Sequence, residues 1–255
     1  MASSSSSAAA RASLSLPEDY FGEEVAAEYD ESTADMPVEP VVDFLVELAG
    51  DGRALELGIG TGRIALPLSA RGVRVSGIDL SEAMVAKLRE KPGADDIDVT
   101  IGDFSTTKVD GRFALVYLVY NTIQNLTTQE GQVACFQNVA EHLEPGGCFV
   151  IEVGLPELKG ERLRIFDFSE RHIGIDEYDV ANQGLVSHHY IRTAGGTFKY
   201  GWGPFRYVWP SELDLMARVA GLTPRERHSG WKGEPFASDS TKLVAVWEKR
   251  SDPGS

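Results

Sequence analysis

The spacing of apolar positions changes along the chain and predicts its elements. From residue 38 to 48, valines and leucines recur at intervals of three and four, which is typical of a helix with one buried face. Short apolar runs predict strands at 53–57, 73–80, 98–103, 113–120 and 148–153. Because helix-like segments separate these runs, the pattern indicates an α/β fold with a doubly wound, mostly parallel sheet.

Capping residues predict where several helices begin. Ser81 precedes one periodic segment and is a candidate N-cap, while Thr127 and Glu130 form a T-x-x-E capping box for a later helix. Pro67 lies inside the predicted helix at 63–70, where proline costs about 3 kcal/mol and bends a regular helix. We therefore expect a kink at that point.

The alternation stops after residue 153. Residues 154–209 are rich in aromatic and β-branched residues and contain glycine turns, which predicts an antiparallel meander inserted into the main domain. A helix after Pro210 and a last strand at 242–249 complete the core.

Composition and charge narrow the classes of function. With 255 residues, of which 42% are hydrophobic, the chain is long enough for one large domain. Its 24 basic and 39 acidic residues give a formal net charge of −15, which disfavours nucleic acids and anionic membranes as partners. Cys135 and Cys148 lie in apolar segments and are expected to be buried, reduced thiols of a cytoplasmic protein.

A glycine-rich turn follows the first predicted strand. Gly58, Gly60 and Gly62 alternate there, whereas a dinucleotide fingerprint would need its third glycine where Arg63 stands. Glu56 precedes the glycines; its carboxylate would repel a pyrophosphate and attract an ammonium group. This E-x-G-x-G-x-G run resembles motif I of the class I S-adenosylmethionine-dependent methyltransferases, in particular those of the small-molecule, natural-product type.

The resemblance implies a seven-stranded Rossmann-like sheet and a set of cofactor contacts. Asp79 ends the second strand, where a carboxylate accepts ribose hydroxyls, and Gly102-Asp103 ends the third, where the family contacts the adenine amino group. The expected cofactor-binding residues are Tyr29, Glu56, Gly58, Gly60, Arg63, Asp79, Leu80, Met84, Gly102, Asp103, Phe104 and Tyr120.

The same resemblance divides the chain into expected regions. They are a disordered tail (1–14), an N-terminal helical lid (15–50), the cofactor-binding core (51–153), an acceptor-covering insertion (154–209) and the closing helix and strand (210–255). The likeness is good over about 40–153, and it rests on position and composition alone for the insertion.

Candidates for contact with the methyl acceptor lie in the lid and after the fourth strand. They are Tyr20, Tyr120, Asn121 and Gln124. His188 and His189 are adjacent on a predicted strand, so only one of them faces the cleft, where it would serve as a general base. Asn121 is a further catalytic candidate. His142 is expected on a helix surface, and His172 and His228 are given no place.

The expected function is methyl transfer from S-adenosylmethionine to a nitrogen or oxygen atom of a small organic molecule, without a metal. No nucleic acid or membrane is expected as a partner, and a homodimer is a candidate assembly. Two alternatives stand beside it: an NAD(P)-dependent oxidoreductase, and a non-catalytic protein that retains the cofactor-binding fold. Catalysis by positioning alone, without a general base, is equally consistent with the sequence.

Overall fold

The structure is a computed structural model that describes residues 20–158, 162–193 and 195–250. The expected tail at 1–14 lies outside the described residues. The helices are α1 (Glu23–Ser32), α2 (Glu39–Ala49), α3 (Ala65–Ala70), α4 (Glu82–Arg89), α5 (Gln129–His142) and α6 (Pro210–Val219). The strands are β1 (Arg53–Leu57), β2 (Arg74–Asp79), β3 (Asp98–Ile101), β4 (Phe113–Leu118), β5 (Leu143–Gly154), β6 (Leu163–Phe168), β7 (His172–Asp179), β8 (Gly184–Arg192), β9 (Phe198–Arg206), β10 (Leu222–His228) and β11 (Lys242–Lys249).

The main sheet has seven strands in the order β10-β11-β5-β4-β1-β2-β3. Strands β1 to β5 pair in parallel, and β11 runs antiparallel to both of its neighbours, β5 and β10. The predicted doubly wound, mostly parallel sheet is therefore confirmed. Because β1 to β4 are parallel, their carboxyl ends meet at one edge, where such sheets bind ligands.

Helices cover both faces of this sheet. On one face, Phe136 of α5 packs edge-on against Phe149 and Trp247, with ring centroids 5.1 and 5.5 Å away. On the other face, α2 and α3 bury Leu45 and Leu68 against the strands. Each fully buried side chain of this size contributes about 1.5–3 kcal/mol, so the two layers supply most of the stabilisation of the fold. Cys135 and Cys148 are buried free thiols within these layers, as expected.

The segment after β5 forms a second sheet with strands in the order β6-β7-β8-β9, all antiparallel. The predicted meander is thus present in place of a further strand–helix unit. A buried polar network attaches it to the core: the Arg206 guanidinium donates to the side chains of Gln132, Gln183 and Glu212.

Two predicted helix features differ from the structure. Thr128, one residue later than predicted, caps α5 by accepting the Gly131 N–H at 3.0 Å, so Thr127 and Glu130 form no capping box. Helix α3 begins only at Ala65, which places Pro67 in its first turn. The first N–H groups of a helix have no internal acceptor, so the expected cost at Pro67 does not arise.

Helix α2 packs in the core through its apolar face, as its periodicity predicts, and residues of the segment from Tyr20 to α1 line the cavities described below. The structure corrects the place of His142. His142 is buried rather than on a surface: its Nε2 accepts the Val109 N–H at 3.1 Å, and its Nδ1 lies 2.8 Å from the Asn138 carbonyl.

Among the described residues, no helix has the length and apolar content that a bilayer span requires.

Replacement of Glu212 by Gln is expected to destabilise the fold by about 3–5 kcal/mol, because the buried Arg206 would lose its ionic partner. Their side chains are 7% and 12% exposed and lie 2.7 Å apart. The measurement is urea unfolding at pH 7.

The matched control is Asp43→Asn, which removes the ion pair with Arg71. Because those two side chains are 62% and 47% exposed, the expected loss is below about 1 kcal/mol. Equal losses in the two variants would contradict the importance assigned to burial.

Candidate active site

The glycine turn after β1 forms a cradle with no room for side chains. Gly58, Gly60 and Gly62 have φ values of 71°, 53° and 78°, a region that glycine enters without steric cost. A Cβ atom at Gly58 would lie 2.7 Å from Thr122 Cγ2, and one at Gly60 would lie 3.3 Å from Met84 Cε. A ligand can therefore approach the backbone of this turn closely.

Asp79 fixes the cradle from the end of β2. Its Oδ2 accepts the Gly60 N–H at 2.6 Å, and its Oδ1 accepts the Ser81 N–H at 2.8 Å. Ser81 in turn caps α4 by accepting the Met84 N–H, as predicted. Burial raises the pKa of Asp79, although these backbone donors oppose the shift. Each oxygen retains a lone pair for hydroxyl donors of a ligand.

Glu56 lies behind the glycines and is only 3% exposed. Its Oε2 accepts the Tyr117 hydroxyl at 2.9 Å. Burial raises the pKa of Glu56 to about 8, and the hydrogen bond from Tyr117 and the nearby Arg63 only partly oppose that rise. A cationic group bound here would supply the missing compensation and favour the ionised carboxylate.

A cavity of about 400 Å³ opens in front of these groups at the carboxyl edge of the sheet. It is lined by all but one of the predicted cofactor residues, namely Tyr29, Glu56, Gly58, Gly60, Arg63, Asp79, Leu80, Met84, Asp103, Phe104 and Tyr120. The exception is Gly102, where a side chain would collide with Thr107, so its role is close packing. The cavity fits a ligand with a cationic end, hydroxyls near Asp79 and a flat group beside Phe104.

The segment from Tyr20 to α1 lies across this cavity and is tied down at two points. The Ser81 hydroxyl donates to the Phe21 carbonyl at 2.6 Å. Asp30 accepts the Thr61 hydroxyl at 2.6 Å and pairs with Lys91 at 2.5 Å. These contacts hold the segment beside the glycine turn.

A second cavity of about 410 Å³ lies between the core and the meander. Both cavities share the lining residues Phe21, Tyr29, Tyr120, Thr122 and Asn125, so they meet at this point. The predicted acceptor residues Tyr20, Tyr120, Asn121 and Gln124 all line the second cavity.

The junction between the cavities contains two strained residues. Tyr120 and Asn121 have φ values of 56° and 63°, which non-glycine residues rarely adopt. Glu152 Oε2 accepts the Tyr120 N–H at 3.0 Å, and Asn121 Oδ1 accepts the Gly154 N–H at 2.6 Å. These bonds hold the strained turn, and such strain is common at functional sites.

The two adjacent histidines of β8 face opposite ways, as predicted. His189 lines the second cavity, with its Nδ1 atom 2.9 Å from His172 Nε2. His188 lies on the other face, 2.8 Å from the Tyr200 hydroxyl and 3.7 Å from a Glu177 oxygen. Of the two, His189 is therefore the one placed to reach a ligand in the second cavity.

Several side chains that line the second cavity were not predicted from the sequence to be site residues. They are Arg164, Asp176, Tyr178 and Ser187. Ser187 stands two residues before His189 on the same strand, so the two-residue period of a strand was a usable signal. Arg164 and Asp176 reach the site from β6 and β7, and their places depend on strand register that no local pattern reveals.

Comparison with known proteins identifies the class of this site. A family model described as a methyltransferase domain matches residues 54–147. The structure of the CcbJ methyltransferase from Streptomyces caelestis matches with a TM-score of 0.83 at 33% sequence identity, over 92% of this chain and 100% of that chain. The cypemycin N-terminal methyltransferase of a Streptomyces species is 28% identical over 208 residues, or 78% of this chain and 84% of that protein.

A third relative supports the fold. The structure of CalS10 bound to S-adenosylmethionine, an amino pentose methyltransferase from Micromonospora echinaspora, matches with a TM-score of 0.63 at 22% identity, over 87% of this chain and 91% of that chain. Together with the match to the CcbJ methyltransferase, the family model favours a methyltransferase over the oxidoreductase and non-catalytic alternatives. The chain belongs to the class I methyltransferases, which are enzymes that use S-adenosylmethionine as cofactor.

Proposed function

We propose that this enzyme methylates the nitrogen atom of a small-molecule amine held in the second cavity. The observation that carries the proposal is a polar wall formed by Asp176, Ser187 and His189 in a cavity that meets the cofactor cavity. A carboxylate attracts an ammonium group, and a neutral imidazole accepts its proton. The names of the cypemycin N-terminal and amino pentose methyltransferases, both describing amine acceptors, support the same choice.

The first cavity suggests an orientation for the cofactor, whose sulfonium supplies an activated methyl group when bound. Glu56 would hold the ammonium of its methionine end and Arg63 the carboxylate beside it. Asp79 would accept the ribose hydroxyls. Asp103 and Phe104, at the far end of the cavity, would hold the adenine.

The junction of the cavities would place the acceptor nitrogen beside the methyl carbon. Tyr29 and Tyr120 line both cavities, and Arg63 Cζ lies 5.6 Å above the Tyr120 ring. Holding two reactants in such a geometry contributes about 7–11 kcal/mol. The strained turn at Tyr120 and Asn121 fixes these walls before either ligand binds.

His189 is the candidate general base. Burial lowers the pKa of its imidazole, and the nearby His172 and His188 lower it further. The ring is therefore neutral at pH 7, which is the form that accepts a proton. A positioned base contributes about 10²–10⁴-fold to the rate when the acceptor enters as an ammonium.

Matched acceptor pairs test the preference for nitrogen. We expect radiolabelled methyl transfer to an aminodeoxyhexose and to a short peptide with a free N-terminus. Transfer should be at least about 100-fold slower to the corresponding hexose and to the peptide whose terminal amine is replaced by a hydroxyl. Faster transfer to the hydroxyl member of either pair would refute the proposal.

Asp79→Ala is expected to weaken S-adenosylmethionine binding by about 1.5–3 kcal/mol, since hydrogen bonds to a charged group are lost. The measurement is isothermal titration calorimetry. The control Asp95→Ala makes the same change of charge at an exposed position after α4 and should leave the affinity unchanged. An unaltered affinity in Asp79→Ala would remove the ribose assignment.

Glu56→Gln is expected to stabilise the protein at pH 8 while it weakens cofactor binding. The folded pKa is about 8 against an ordinary value of 4.5, so the unfolded chain ionises first and stability falls as the pH rises between them. Glutamine does not ionise, so the variant should gain up to about 4 kcal/mol at pH 8 and little at pH 4.

Thermal and urea unfolding at both pH values measure the first effect, and calorimetry with S-adenosylmethionine measures the second. Affinity should fall by about 10-fold or more, because the ammonium loses its carboxylate. A variant that binds the cofactor normally would show that Glu56 is structural only.

A further inference from the structure

We propose that Asp167, His172 and His189 form a proton relay that carries the proton of the acceptor ammonium from the second cavity to solvent. The relay rests on the proposed function, since it serves an acceptor that must lose a proton before it attacks. His189 would touch the acceptor, whereas His172 and Asp167 act through it as positioning residues.

The three side chains are hydrogen-bonded in a line across the meander. Asp167 Oδ2 on β6 lies 2.6 Å from His172 Nδ1 on β7. His172 Nε2 lies 2.9 Å from His189 Nδ1 on β8, and the two rings lie edge to edge and nearly parallel, with centroids 5.1 Å apart and 12° between their planes. Three separate strands thus contribute one residue each to a continuous path.

The carboxylate at the end of the line sets the direction of every hydrogen bond. Asp167 accepts, so His172 Nδ1 carries the hydrogen and its Nε2 presents a lone pair. That lone pair accepts the Nδ1–H of His189. His189 Nε2 is consequently the free base at the cavity wall. The Ser187 oxygen lies 3.2 Å from it, and the Ser187 hydroxyl donates its hydrogen to Asp176, so Nε2 keeps its lone pair for the acceptor.

The path ends at the protein surface. The Asp167 carboxylate is 41% exposed and the His172 ring 25% exposed, while His189 belongs to the cavity lining. Gly174 lies opposite His189 in the register of β7 and β8. Because it has no side chain, the Phe166 ring packs over both imidazoles and covers the middle of the path.

The groups facing His189 leave it one acidic neighbour on the cavity side. The facing groups on β7 are His172 and Asp176. Asp176 accepts the Ser187 hydroxyl at 2.8 Å. On β9, Gly201 lies opposite His189 and has no side chain. Arg164 of β6, through its charge, and Tyr178 of β7, through a hydrogen bond, both act to lower the pKa of Asp176. His188 acts only through space from the opposite face.

Each proton transfer balances along this line. The acceptor ammonium gives its proton to His189 Nε2, His189 releases its Nδ1 proton to His172 Nε2, and His172 releases its Nδ1 proton to Asp167 and then to water. The freed nitrogen lone pair forms the bond to the methyl carbon, while the carbon–sulfur bond breaks and its electron pair remains on sulfur. Both rings then carry their hydrogen on Nε2, and proton exchange with water returns them to the Nδ1–H forms before the next turnover, so no further reactant is needed.

Nitrogen-15 NMR of histidine-labelled protein without ligands tests the direction of the relay. At pH 8, the rings of His172 and His189 should both carry hydrogen on Nδ1 and present a lone pair on Nε2. In the variant His172→Gln, His189 should shift toward the tautomer mixture of an unrestrained imidazole. Because no acceptor is present, this result stands whether or not the proposed function is correct. A wild-type His189 with its hydrogen on Nε2 would overturn the relay.

Single-turnover methyl transfer to the peptide amine, measured from pH 6 to pH 9.5, tests whether the relay takes part in catalysis. At pH 6, where the α-amine is protonated, Asp167→Asn and His172→Gln should be at least about 10-fold slower than wild type. The gap should close by pH 9.5, where the amine enters without its proton. At every pH, each variant should bind the cofactor with the same affinity as the wild-type protein.

His188→Gln is the matched control, because it removes an imidazole from the same strand on the opposite face and should leave the rates near those of wild type. A merely structural role for His172 and Asp167 would lower the rate by the same factor at all pH values. That outcome, or wild-type rates in both relay variants, would overturn the proposal.

Discussion

The Asp79 carboxylate joins the two turns that follow β1 and β2, and the geometry of the site depends on that bridge. One oxygen holds the glycine turn through Gly60, and the other holds Ser81 at the start of α4. Ser81 donates in turn to the Phe21 carbonyl, which holds the segment from Tyr20 to α1 beside both cavities. A single half-buried acid therefore connects the strand ends, a helix cap and that segment.

One buried and two half-buried carboxylates give the two cavities a shared electrostatic character. Burial raises the pKa values of Glu56 and Asp79 in the first cavity and of Asp176 in the second. Such groups are costly in an empty protein and are compensated by a cation that binds beside them. The donor has an ammonium and a sulfonium, and the proposed acceptor is an ammonium, so the same arrangement of charge suits both ligands.

Local patterns in the sequence were sufficient for the sheet and for most of the cofactor cavity. Strand periodicity and the E-x-G-x-G-x-G run are short-range signals, as is the cap at Ser81. Thr127 and Thr128 are both suitable N-cap residues, and the sequence does not show where the preceding turn ends. The cap was therefore predicted one residue too early. His172 and Asp176 could not be placed, because their partners lie on neighbouring strands and the register between strands is a property of the folded sheet.

The segment from Tyr20 to α1 has a consequence for the timing of turnover. Tyr20 packs against Phe205 of the meander with ring centroids 5.9 Å apart, while Asp30 is bonded to the glycine turn, so one segment spans both cavities. A product that leaves past this segment breaks contacts at one end of it. Opening of such segments takes microseconds to milliseconds, and in many enzymes it is slower than the chemical step. We therefore expect product release, rather than methyl transfer, to set the pace of the cycle.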